Sequence, residues 1–120
     1  MENNKFRLMK DMYSDNRGGH SKFVDLYCEN CGVHVLLYQK DGPGPLKRLY
    51  LDRILAPSEF TSLQSVEKLP DLYCKTCNRL LAIPYVYERE NRRSYALLAY
   101  VTVDKKGKGG YPPKRLSLGK

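Results

Sequence analysis

Cys28, Cys31, Cys74 and Cys77 are the only cysteines in this chain of 120 residues, and they fall as two C-x-x-C pairs. Each pair lies in a copy of one phrase, DLYCENCG from Asp25 and DLYCKTCN from Asp71, identical at five of eight positions and forty-six residues apart. A C-x-x-C turn wraps two thiolates around one ion because successive backbone N–H groups aim at the sulfurs. The residue after the second Cys then needs a left-handed backbone, which Gly supplies without a Cβ clash and Asn tolerates. Gly32 and Asn78 stand there. Four thiolates suit one tetrahedral zinc ion with a closed shell. Two disulfides would need an oxidising compartment, and thioredoxin-like chemistry needs one pair in a βαβ context. Iron in a rubredoxin-like site remains open by ligand type. A closed four-sulfur shell leaves no position for water or substrate, so the expected role is structural rather than catalytic.

Other residues invite chemistry less strongly. His34 follows the first knuckle and reads as a core or sheet-face residue, and His20 as a solvated one; neither has the H-E-x-x-H setting of a hydrolytic metal site. The segment YQKDGPGPLKRLYLD sets Gly42 and Gly44 beside Lys40, Lys47 and Arg48. Two prolines remove N–H groups that a phosphate nest requires, so it reads as a rigid turn that offers Lys47 and Arg48 to an anionic partner. Asp41, Asp52, Glu88 and Glu90 stand among basic neighbours and read as surface ion pairs.

The net charge is +8 and is uneven. Residues 1–24 carry five basic and three acidic groups, 25–103 ten and nine, and 104–120 six and one. The excess therefore sits at the ends, and the body is close to neutral. Basic, flexible ends contact phosphates without reading sequence. Lys105, Lys106, Lys108, Lys114 and Arg115 join Lys47 and Arg48 as candidate nucleic-acid contacts.

These groups must be positioned by a small β domain. Runs rich in Val, Leu, Ile and Tyr predict strands over Lys22–Tyr27, Val33–Lys40, Lys47–Ile54, Leu80–Glu88 and Ser94–Asp104. The second and last are apolar on both faces and are expected to lie centrally in a sheet. DGPGP is expected to close a hairpin between the second and third strands, and ERENRR to join the last two. Pro84 predicts a sheet edge or bulge. Phe60 and Leu63 suggest one helical turn after Pro57. Residues 1–21 read as a poorly ordered arm, with docking of Phe6, Leu8, Met9 and Met12 as a short helix the alternative. Residues 22–104 read as the zinc-binding β domain, and 105–120 as a flexible basic tail. In each DLYC phrase the Leu and Tyr are expected to pin the strand, while the knuckle tips, Glu29-Asn30 and Lys75-Thr76, are exposed and of little account to the ion.

Two distant C-x-x-C knuckles, each opening into long strands, resemble the zinc-anchored β-tent arrangement of Yippee proteins, the ligand-binding domain of cereblon and methionine sulfoxide reductase B. The resemblance covers about residues 22–104. It implies a mainly β fold of small antiparallel sheets with two zinc knuckles, a β-tent or elaborated zinc ribbon. The reductases need a catalytic Cys beyond the four ligands, and this chain has none. The cereblon pocket is a cage of tryptophans, and this chain has no Trp; a pocket built from Tyr50, Tyr85, Tyr87 or Tyr100 is the counterpart to look for. Yippee-like members imply an interaction module. The start MENNKFRLMK lacks a leader pattern and no apolar run is long enough to span a bilayer, so a soluble, intracellular, cytoplasmic protein with no membrane partner is expected. The sequence thus predicts a non-catalytic module with one structural zinc, monomeric or weakly dimeric, that binds nucleic acid or, alternatively, a protein partner, with a small-ligand-binding or enzymatic domain as the third and least favoured reading.

Overall fold

The computed structural model of the chain describes residues 4–9, 21–42, 44–87 and 92–119. His20, Met12, Glu88, Glu90 and the tip of the ERENRR turn lie outside them. The described residues form strands β1 (Asn4–Lys5), β2 (Ser21–Cys28), β3 (His34–Asp41), β4 (Arg48–Tyr50), β5 (Ile54–Ala56), β6 (Leu72–Tyr73), β7 (Leu80–Tyr87), β8 (Arg92–Leu97), β9 (Thr102–Lys106) and β10 (Gly110–Tyr111). Helix is confined to α1 (Ser58–Thr61) and 3-10 turns at Leu51–Arg53 and Ser62–Ser65, where the Phe60–Leu63 spacing predicted a turn.

All pairings are antiparallel and build two four-stranded sheets, β5-β3-β2-β9 and β4-β8-β7-β6, plus the small ribbon β1-β10. Each large sheet contains one meander that starts from a DLYC phrase, β2-β3-β5 in the first and β6-β7-β8 in the second. The copies match in register. Leu26 faces Leu36 and Tyr27 faces His34, while Leu72 faces Ala82 and Tyr73 faces Leu80. Both pairs of strands therefore shift by the same bulge between the Leu and the Tyr of DLYC. A bulge bends its strand, and here it turns each knuckle at the same point. Each meander gains a fourth strand from the other half of the chain, β9 on β2 and β4 on β8.

Several expectations are corrected. The run Lys47–Ile54 holds β4, the 3-10 turn at Leu51–Arg53 and only the first residue of β5, and these two strands lie in different sheets. The DGPGP segment consequently does not close a hairpin: β3 pairs with β5, and β4 crosses to β8. The run Ser94–Asp104 likewise breaks at Leu98–Val101, where Tyr100 has φ of 64°. Its first half, β8, is central in one sheet, and its second half, β9, is an edge of the other. In both runs the two segments stay apolar because each enters a core, so alternation carries no mark of the corner.

A further correction concerns the ends. Residues after Asp104 are built into the fold rather than forming a loose tail. Lys105 and Lys106 pair with Asp25 and Val24, and Gly110 and Tyr111 pair with Lys5 and Asn4. Gly109 has φ of 84°, and a Cβ there would lie 2.7 Å from the Phe23 ring; only Gly lets the chain pass this ring. The N-terminal segment docks extended rather than as a helix. Its Phe6 N–H donates to the Gly109 carbonyl at 2.7 Å, and its ring joins Phe23 and Tyr111 over Leu37, Leu55 and Ala56.

The main core lies between the sheets and draws on both: Leu26, Leu36, Tyr38, Leu49, Leu51, Ile54, Leu72, Ala82 and Tyr95. Pro84 pairs with Tyr95 of β8 and lies beyond the end of β6, where its missing N–H interrupts no ladder. A buried ion pair closes the side near the N-terminal segment. Arg53 is fully buried, and its Nε donates to Asp41 Oδ2 at 2.7 Å. Gln39, also buried, donates to Asp41 and to the Met9 carbonyl, and accepts from the Met9 N–H. Asp41 is thus an interior partner, not the surface one expected.

Candidate metal centre and basic surfaces

The two knuckles meet where the sheets converge. The four sulfurs all lie within 4.8 Å of one another, with Cys28 to Cys77 at 3.6 Å and Cys31 to Cys74 at 3.5 Å. Disulfide sulfurs lie about 2.05 Å apart, so these cysteines are not bridged in either pairing. A tetrahedron with metal–sulfur bonds of about 2.3 Å has edges of about 3.8 Å, close to the short contacts here. The donor set and its spacing fit a four-thiolate metal site.

Both knuckles are formed by the same backbone bonds. Gly32 N–H donates to the Cys28 carbonyl and Asn78 N–H to the Cys74 carbonyl, each at 2.8 Å. Cys28 N–H reaches the Val33 carbonyl and Cys74 N–H the Arg79 carbonyl. The left-handed residues are those expected, Gly32 at φ 79° and Asn78 at φ 62°. Amides of Asn30 and Cys31 point to the Cys28 sulfur, and those of Thr76 and Cys77 to the Cys74 sulfur. Burial nevertheless pushes the Cys28 and Cys74 thiols up. Cys77 is drawn down to about 6, chiefly by the Asn30 side chain and then by the Arg79 amide. Cys28 and Cys74 also pack with Leu81 and Val101, which ties the centre into the apolar interior.

The knuckle tips matter more than the repeat suggests. Asn30 of the first knuckle reaches a sulfur of the second, and Glu29 accepts from Arg79 Nη1 at 3.1 Å. Lys75 pairs with Glu59 of α1 and sits 5.8 Å over the Phe60 ring. The DLYC phrases also differ in their tyrosines. Tyr27 is buried and donates to the Arg115 carbonyl at 2.7 Å, whereas Tyr73 is 47% exposed. The C-terminal segment braces only the first knuckle: His34 N–H donates to the Leu116 carbonyl and Leu118 N–H to the Gly32 carbonyl. His34 is a packing residue, as expected. Its Nε2 lies 2.8 Å from Asp25 and its ring meets Tyr27 edge-on. Burial lowers its pKa, against the opposing pull of Asp25.

The seven basic candidates fall on two surfaces. Lys105 and Lys106 are exposed on β9, with Lys108, Lys114 and Arg115 exposed beyond it. Lys47 and Arg48 belong to the other sheet, where they line a cleft of 260 Å³ with Tyr38, Lys40, Asp41 and Tyr50. Of the tyrosines weighed for a pocket, Tyr50 lines this cleft, Tyr85 and Tyr100 are exposed, and the Tyr87 side chain lies outside the description. The sequence reading missed Arg92, which stacks 3.9 Å over the Tyr50 ring and pairs with Asp52; a charged turn gave no sign of an inward Arg.

Among the described residues, no helix is long and apolar enough to cross a membrane. No family model, curated protein or solved structure matches the chain.

Proposed function

We propose that the chain is a non-catalytic binding module held together by one zinc ion on Cys28, Cys31, Cys74 and Cys77, and that its partner is nucleic acid. The observation that carries the metal assignment is the four-sulfur cluster at the junction of two meanders. All four donors are thiolates, the set zinc takes in closed structural sites. The pairing of meanders at one four-sulfur apex also supports the likeness to β-tent domains. When bound, the ion supplies folding free energy and a fixed angle between the sheets. Atomic absorption on protein purified without added metal is expected to return one zinc per chain; stoichiometric iron would overturn the assignment.

The exposed cations on β9 and the segment after it support nucleic acid as the partner. Being ordered, they present charge from a fixed surface at low entropic cost. Neutralising Lys105, Lys106, Lys108 and Lys114 to Gln should make the log–log salt dependence of binding shallower by about 3. An unchanged slope in a gel-shift series would count against this reading. A protein-interaction adaptor is the second reading, favoured by Val86 and Leu116, exposed at 51% and 62%; salt-insensitive association with a protein would select it.

A further inference from the structure

The outer edge of β7 is covered only at its start. β6 pairs with it at Leu80 and Ala82, and among the described residues no strand continues beside Ile83–Tyr87. The chain leading to β6 is drawn aside. Arg93 donates to the Gln64 and Val66 carbonyls, and the Tyr95 hydroxyl donates to the Pro70 carbonyl. Arg93 and Tyr95 belong to β8, so this segment is held against the core face of β8 instead of running along β7. Ile83, Pro84, Tyr85 and Val86 are all exposed, Val86 at 51%.

The direction of the backbone groups follows from the register. Leu97 N–H donates to the Lys47 carbonyl, away from β7. In an antiparallel ladder each residue turns its N–H and C=O to one neighbour, and successive residues alternate. Tyr95 and Arg93 therefore also turn away from β7, while Ala96, Ser94 and Arg92 turn to their partners Ile83, Tyr85 and Tyr87. Ala82, Pro84 and Val86 are left facing outward, and Leu72 pairs with Ala82. Pro84 has no N–H, so Val86 alone presents both a donor and an acceptor beyond β6. An unpaired edge of this kind is a template for another strand. Ile83 and Tyr85 share one of its faces, and Pro84 and Val86 the other. No charged side chain lies between Leu80 and Tyr87. The strand that fits must be apolar on both faces, and β7 itself has that pattern.

We propose that β7 pairs antiparallel with β7 of a second copy, about a two-fold axis at Val86, joining two β4-β8-β7 sheets edge to edge. Each Val86 N–H then donates to the other's carbonyl, the one exchange for which this edge holds a complete set of groups. A two-fold contact requires such a self-complementary patch. The charge distribution favours this edge for the meeting. A net charge of +8 keeps copies apart in general. The exposed Lys105, Lys106, Lys108 and Lys114, however, lie on or beyond β9, an edge of the other sheet. The uncharged β7 edge lets two copies meet without setting like charges opposite each other. A contact built on one short strand is small beside the roughly 800 Å² per partner of stable complexes. The dimer is therefore weak, with a dissociation constant between about 1 μM and 1 mM. It stands apart from the nucleic-acid reading.

Sedimentation equilibrium on the full metal-loaded chain, from about 1 μM to 1 mM, tests this. The parent should show a monomer–dimer equilibrium, and its Val86 amide should gain protection from hydrogen exchange as the dimer forms. Val86→Pro removes both inter-copy bonds but none to β8, because that N–H points outward. It should weaken dimerisation about 5- to 150-fold, the worth of two ordinary hydrogen bonds. Pro is tolerated at an outward edge position, so the monomer should melt close to the parent. Val86→Lys keeps the N–H but sets like charges opposite, and should weaken dimerisation as well. Val86→Thr should retain it. Dimerisation that neither Val86→Pro nor Val86→Lys changes would overturn the proposal. So would a parent chain still monomeric at about 1 mM. Binding of an uncharged β-strand peptide to a chain that does not self-associate would make the occupant a foreign strand, and the proposal would fall.

Discussion

Removing the metal is expected to unfold the body rather than loosen its apex. Structural zinc in small domains contributes about 10–16 kcal/mol of apparent binding free energy near neutral pH. A domain of this size holds about 5–15 kcal/mol of net stability in total. The ion's contribution therefore matches or exceeds the whole margin. The structure shows why the loss would not stay local. The knuckles end β2 and open β3 in one sheet, and end β6 and open β7 in the other, so an ion held there would fix both meanders at once. Cys28 and Cys74 also share contacts with Leu81 and Val101, and Leu26 and Leu72, two residues before them, belong to the main core. Urea unfolding followed by tyrosine fluorescence and far-ultraviolet circular dichroism, with and without a strong chelator, measures the effect. The chelated protein should lose its cooperative transition, and Cys31→Ser and Cys77→Ser should behave alike. In buffered zinc at 100 times the dissociation constant, the parent should gain about 2.7 kcal/mol. A metal-free protein with a cooperative midpoint within about 0.5 M urea of the loaded form would refute the reasoning, because the core alone would then carry the fold.

Other expectations follow from the interior and the ends. Asp41→Asn removes the carboxylate from fully buried Arg53 and should cost about 3–5 kcal/mol in urea unfolding, the range for breaking a buried pair. Burial raises the Asp41 pKa, but hydrogen bonds from Ser21, Gln39 and Arg53 and the Arg53 charge outweigh it, leaving it below its ordinary value of 3.8. The unfolded state then binds the proton more readily, so this stability is complete above the ordinary carboxylate range and is lost as pH falls through the folded pKa; an acid titration of stability should be shallower in Asp41→Asn. Gly109→Ala sets a Cβ against the Phe23 ring at positive φ and should lower stability by about 1–3 kcal/mol. Gly119→Ala, with similar φ but open space, should lose less, and the difference between their melting temperatures isolates the packing contribution. Deleting residues 105–120 removes the Arg115 carbonyl that accepts from Tyr27 and the last two β9 pairs, and should lower the melting temperature by several degrees; an unchanged melt would restore the view of a loose tail.

The clustering of the four cysteines and their left-handed neighbours were legible because thiolate geometry admits few residue types at few spacings. The positions of β2, β3 and β7 were legible from β-branched and aromatic runs, whereas β6 and most of β5 lay outside the predicted runs. The corners at Leu51–Arg53 and Leu98–Val101 were not, because each half of those runs is apolar for its own core. The C-terminal segment was misread for a related reason. Lys, Gly and Pro suggest solvation, yet Gly109 is there to let the chain pass Phe23, and backbone carbonyls of Arg115 and Leu116 bond whatever their side chains. Backbone acceptors leave no trace in composition. Arg53 and Arg92 were hidden likewise: one letter does not distinguish a solvated guanidinium from one paired with Asp41 or stacked on Tyr50.

The repeat itself separates holding the fold from using it. Among its invariant letters, Leu and Cys do the same work twice, one Leu in the shared core and two thiolates at the shared centre, while Tyr27 is buried and Tyr73 exposed. The varied letters make the copies complementary rather than equivalent. Glu29 pairs with Arg79 across the knuckles, and Asn30 reaches Cys77, contacts that two identical knuckles would not make. The asymmetry then spreads outward. The first knuckle is covered by residues 115–118 and buries Tyr27, while the second leans on α1 and leaves Tyr73 in solvent. Ile83 and Tyr85, exposed on β7, lie on the less covered half. A duplicated clip that favours opposite charges across its seam gives one defined pairing of the halves.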